Sequence, residues 1–111
     1  MTNTQKLAAI RAIRKLLATP DRWTQGAMAR DKRGDVELDI SSKAVCWCLV
    51  GSIRYVCRTF TRRWTTYEFL AGLLGFEDIA EWQDAPERTH ADILALLDRA
   101  ESTLTEEHAN G

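Results

Sequence analysis

Residues 44–53 form a run of ten without a single charge, built from Ala44, Val45, Cys46, Trp47, Cys48, Leu49, Val50, Gly51, Ser52 and Ile53. A chain of 111 residues cannot leave that run in water, because apolar burial is what drives a domain of this size to fold. It is also about half of the roughly 20 residues that a membrane-spanning helix needs. The run must therefore be buried within the protein itself. Ser41 or Ser42 can cap a helix at its start, and Arg58, Arg62 and Arg63 suit a helix end, where the backbone dipole is negative. The spacing predicts a central buried helix over residues 43–60, apolar nearly all round as far as Ile53. Gly51 and Ser52 remove bulk midway along it, which lets another element approach closely.

The rest of the chain is arranged around that helix. Leu7, Ile10, Ile13 and Leu17 recur at helical spacing over residues 4–18, and Pro20 follows. Val36, Leu38 and Ile40 alternate with Asp35, Glu37 and Asp39, the period of a half-buried strand. Asp31 to Gly34 has turn chemistry, with Gly34 suited to a positive φ, and residues 27–30 can pair across it. Thr65 with Glu68 resembles a capping box opening a helix that stops at Gly75, and residues 77–83 read as another short helix. Thr89 with Asp92 resembles a second capping box. Ile93, Leu96, Leu97 and Ala100 then make a core stripe for a last helix ending near Thr103. The expected fold is mainly α, about five helices around the central one, with one short β-hairpin near residues 27–40. Residues 1–105 are expected to form a single domain and residues 106–111 a frayed polar tail.

Charge is unevenly distributed. Residues 1–33 hold eight Lys/Arg against two Asp, whereas residues 64–111 hold two Arg against eleven Asp/Glu, within a net charge of −1. Such a split points either to a polar partner or to pairing between the two halves. Leu7 to Leu17 is interrupted by Arg11, Arg14 and Lys15, so it lacks the h-region of an export signal, and a cytoplasmic location with reduced thiols is expected.

The residue types allow three chemistries. Cys46, Cys48 and Cys57, placed on one helix, either point to opposite faces or lie about 16 Å apart along the axis, so no two can share a disulfide or a metal. They read as small buried hydrophobes. A Cys/His hydrolase would have to draw on His90 or His108, the only two histidines, and nothing in the spacing assembles them with a thiol. Glu77, Asp78, Glu81, Asp84 and Glu87 lack any specific pairing. Phosphate-loop, dinucleotide and metalloprotease motifs are absent from the sequence. No catalytic residue, metal ligand or cofactor is expected. Of four tryptophans, Trp47 is expected in the core. Trp23, Trp64 and Trp82 either staple loops or mark an aromatic binding patch.

Three groups of residues carry a resemblance: Trp23, Gly26, Ala27, Ala29, Arg30 and Asp31; Ala44, Trp47, Cys48 and Gly51; and Trp82, Gln83, Asp84 and Pro86. Together they resemble a family of small uncharacterised proteins of bacteria and their phages. The chain departs from that pattern at Gln83, where the family has Asn, and at Ser52, where it has Ala. The resemblance implies a phage or mobile-element accessory protein of the cytoplasm. The function expected from the sequence is a non-enzymatic interaction module that binds a protein partner. The cations Lys6, Arg11, Arg14, Lys15, Arg30 and Arg33 are its expected contact surface. Nucleic-acid binding through the basic N-terminal third is the alternative, and a small Cys/His hydrolase a further one.

Overall fold

A computed structural model describes residues 1–75 and 78–110, with side chains up to residue 106. Among the described residues are five α-helices: α1 (Asn3–Leu16), α2 (Leu49–Val56), α3 (Phe60–Leu73), α4 (Ile79–Asp84) and α5 (His90–Asn110). A 3₁₀ turn at Pro20–Arg22 follows α1, and three two-residue strands lie between that turn and α2: β1 (Ala29–Arg30), β2 (Val36–Glu37) and β3 (Cys46–Trp47). The fold is mainly α with a small sheet, as expected. No helix among the described residues is long and apolar enough to cross a membrane.

α1 and α5 form the frame. Thr2 and Gln5 close a reciprocal capping box at the start of α1, at 2.9 and 3.1 Å. Ile10, Ile13 and Leu17 are fully buried, as are Ile93, Leu97 and Leu104 of α5. The helices run antiparallel. Arg11 meets Glu101 and Arg14 meets Asp98, each at 2.8 Å, while His90 Nε2 lies 2.6 Å from the Leu17 carbonyl oxygen. Thr89 and Asp92 form the expected reciprocal cap of α5. The helix does not stop near Thr103 but continues to Asn110.

The central helix is a correction. Residues 43–60 are not one helix: they hold β3, the short α2 and the first residue of α3. Ser41 and Ser42 therefore cap nothing in it. Val45 N–H and the Cys46–Trp47 strand pair with β1 instead, which buries Trp47 to 4% exposure and lets its indole N–H donate to the Asp39 carbonyl oxygen at 3.0 Å. Cys48, with extended backbone, is the true N-cap of α2, its Sγ accepting from Gly51 N–H at 3.2 Å. The helix ends at Cys57, also extended, and Thr59 caps α3 by accepting from Arg62 N–H at 3.2 Å. Thr65 thus lies inside α3 rather than at its start. Arg63 of α3 reaches back to the Cys57 and Arg54 carbonyl oxygens at 2.7 and 3.2 Å, satisfying the open end of α2.

The hairpin forms where expected, with Gly34 at φ +87° and its N–H bonded to the Asp31 carbonyl. β3 joins it on the far side of β1, giving the antiparallel order β2-β1-β3. The burial of the alternating residues is the reverse of the expected one. Ala29 and Trp47 face the core, and Ala29 pairs with Trp47 on one side and Glu37 on the other, so Val36, Leu38 and Ile40 point outward at 67, 69 and 55% exposure. Asp39 is the buried residue, facing Arg54 at 3.4 Å. The short fourth helix spans Ile79–Asp84, and Glu77, the expected start of it, lies outside the described residues.

Gly51 touches β1's neighbour. A methyl group built on it would lie 2.0 Å from the Met28 carbonyl oxygen, whereas at Gly72 of α3 nothing lies within 4 Å. Gly51→Ala should therefore destabilise the protein by about 1–3 kcal/mol through overpacking. Gly72→Ala should stabilise it by about 0.5–1 kcal/mol through helix propensity. Chemical denaturation of both variants checks the opposite signs.

Candidate functional site

The three sequence motifs converge on one buried amide. Gln83, at the end of α4, is fully buried. Its Oε1 accepts from the Trp23 indole at 2.6 Å and from Leu49 N–H, the first residue of α2, at 3.0 Å. Its Nε2 donates to the Thr24 carbonyl at 2.9 Å and to Asp84 Oδ1 at 3.1 Å. Gln25 closes the same knot with bonds to the Gln83 and Ala85 carbonyls, and Gly26 N–H donates to Asp84. Arg30 donates to Thr24 Oγ1, Gly34 O and Gln25 O, while the Arg88 guanidinium sits 4.2 Å from the centre of the Trp82 ring. Donors and acceptors here satisfy one another. Trp23 and Trp82 thus staple loops, and the bonds around Gln83 hold the motif segments together, while Gly26, Ala27, Cys48, Gln83 and Asp84 also line an open hollow of about 180 Å³.

The thiols are spread over three positions. Cys46 lies on β3, and Cys48 and Cys57 are the two caps of α2; all three are free. The angular argument that placed them on one helix is therefore replaced, although Cys48 and Cys57 are buried as expected. Burial pushes the Cys48 thiol pKa up, with the Asp84 carboxylate adding to it, and the Gly51 and Val50 amides only partly oppose this. His90 is turned to the Leu17 carbonyl. Among the described residues no cluster of His, Cys, Asp and Glu could hold a metal ion.

The expected cations have diverse surroundings. Arg11 and Arg14 face α5 carboxylates, Arg30 is spent on the hairpin, and Lys6 lies over the Phe69 ring at 5.8 Å. Lys15 and Arg33 are exposed.

A different surface stands out. Phe60 and Trp64 of α3 are 82 and 54% exposed, and Trp64 stacks on Tyr67 with rings 8° from parallel. With Val50, Ile53 and Arg54 of α2, and with Arg63, these aromatics line an open groove of about 190 Å³. Arg54 leaves 41% of its side chain exposed there, although its ion-pair partner Asp39 is buried. Arg58 and Arg62 line a separate hollow with Gln5, Ala8 and Ala9 of α1, Arg58 lying 5.0 Å from the Tyr55 ring centre. The sequence carried one signal for this surface: residues 40–67 hold five Lys/Arg and no Asp or Glu. Phe60 carries no such signal, because the apolar run reads through it as the end of one long helix.

A family model described as a family of unknown function (DUF6197) matches residues 1–103. No curated protein and no solved structure matches the chain.

Gln83→Ala would leave the Trp23 indole and Leu49 N–H without their acceptor, and each such buried group costs about 1–3 kcal/mol. A loss of roughly 3 kcal/mol or more in denaturant titration is expected. The thiols give a second check. In native protein at neutral pH, Cys48 and Cys57 should label with a thiol reagent far more slowly than Cys46, and all three should label after unfolding. For Cys48 the folded pKa is the higher one, so its contribution to stability is complete below the unfolded value and is lost as pH rises through the folded one.

Proposed function

Given that the chain belongs to DUF6197, a family of unknown function, we propose that it is a non-enzymatic interaction module that docks a protein partner in the groove between α2 and α3. The observation that carries this reading is the pair of large aromatic side chains, Phe60 and Trp64, left exposed beside an apolar groove with arginines at its edge. Aromatic residues and arginine are the side chains enriched at the energetic centres of interfaces, and contiguous exposed apolar patches on small domains mark interaction sites. Covering the exposed parts of both rings is worth roughly 5 kcal/mol gross. Association costs about 4–15 kcal/mol, so these two rings alone support only weak binding. The aliphatic floor and the arginine rim must contribute the remainder.

The N-terminal cations make a weaker basis for recognition, because Arg11 and Arg14 already face carboxylates. The same pairing argues against nucleic acid on that surface. Three free cysteines suit a reducing cytoplasm. The accessory role in a phage or mobile element belongs to this reading through the motif resemblance.

A photo-crosslinking amino acid placed at Phe60 tests the proposal in lysate of the source organism. A discrete adduct should form at that position, be absent when the crosslinker replaces Lys15, and weaken at least tenfold when Trp64 is changed to Ala. Adducts that form equally at both positions would move the contact surface away from the groove.

A further inference from the structure

We infer that the partner segment is an acidic amphipathic helix of about two turns, an inference that rests on the groove being the docking surface. The geometry of the walls sets the length. Phe60, Trp64 and Tyr67 stand four and three residues apart on α3, which places them along about 10 Å of one helix face. Val50 and Ile53, three apart on α2, form the opposing wall. A cleft between two packed helices takes a third helix with apolar anchors at i, i+3 or i+4, and i+7. Two turns of such a helix span the same 10 Å or so.

Charge sets the rest of the partner. Arg54 and Arg63 line the groove, and Arg58 and Arg62, next to them in sequence, line a separate hollow against the start of α1 and add to the positive charge of this end of α3. The carboxylate that meets Arg54 is that of Asp39, only 7% exposed, and residues 40–67 contain no other. The first turn of α3 holds no acidic residue either, so the positive end of that helix adds to the field. Carboxylates flanking the apolar anchors complement this rim, and basic flanks would be repelled by it.

A single-stranded nucleic acid also uses aromatic rings and arginine, but the details disfavour it. One face of Trp64 is already stacked on Tyr67, and the opposite wall is aliphatic.

The test is a display selection with 16-residue helical peptides, apolar at i, i+4 and i+7 and randomised elsewhere. The bait is the full chain, and a Phe60→Ser/Trp64→Ala variant, checked for an unchanged melting curve, serves for comparison. Enriched peptides should be net negative and should not bind the variant. Anisotropy with the most enriched peptide should weaken about threefold for each of Arg58→Glu and Arg62→Glu, and should weaken further as salt is raised. Replacing its Glu and Asp by Lys should abolish binding to the native chain and restore it to the Arg58→Glu/Arg62→Glu protein. Enriched peptides that need Phe60 and Trp64 but carry no acidic bias would overturn the charge inference and leave the groove reading standing. Failure to enrich any peptide dependent on those two residues would overturn both. So would binding of an oligothymidylate that is lost with Trp64, or self-association abolished by the same variant, either of which gives the groove another occupant.

Discussion

The position of α2 depends on a single side-chain amide. A glutamine can donate two hydrogen bonds and accept two, and Gln83 uses all four inside the protein: two donated, to Thr24 and Asp84, and two accepted, from Trp23 and Leu49. Three separate stretches of chain meet there: the loop after α1, the start of α2 and the end of α4. An amide so placed carries no net charge, so its burial avoids the heavy desolvation cost of a carboxylate. Its bond from Leu49 N–H, beside the Cys48 cap, anchors the start of α2 to the loop after α1 and to α4. The wall formed by Val50 and Ile53 follows from that, and so does the groove they share with α3.

The charge split along the chain finds part of its explanation in the same frame. Basic α1 and acidic α5 are antiparallel neighbours, and two of the N-terminal arginines meet two C-terminal carboxylates across them. These are exposed pairs, each worth about 0.2–1 kcal/mol, so they set the register of two helices already held by Ile10, Ile13, Ile93 and Leu97 rather than supplying the stability. The other basic cluster, at the junction of α2 and α3, has no such acidic neighbour in sequence.

Legibility in the sequence followed the strength of the local signal. α1 and α5 were readable because their apolar residues recur over several turns, and the hairpin because Gly34 has a conformation that few other residues take. The strand stripe at Val36, Leu38 and Ile40 was readable as an alternation but not as to side. Alternation has two faces, and only the pairing of Ala29 with Glu37 and Trp47 decides which one meets the core. Residues 43–60 misled for a related reason. An apolar run with no polar face has no period, and so cannot tell a strand followed by a short helix from one long helix. The candidate groove was hidden by that same ambiguity. It exists because the chain breaks at Cys57 to Thr59, and that break rests on Arg63 reaching back to carbonyls nine and six residues earlier. Trp64 could be flagged as an aromatic near a boundary, whereas Phe60 became visible as a surface residue only with the fold.

The close approach of Gly51 to the Met28 carbonyl carries a thermodynamic corollary. With a backbone-to-backbone contact on one side and the Gln83 bonds at its first residue, α2 has little room to shift or unwind when a ligand arrives. Docking on this helix would then order side chains at the rim and little else. The heat-capacity change of such an association should track the apolar area covered, without the large extra contribution that accompanies folding coupled to binding.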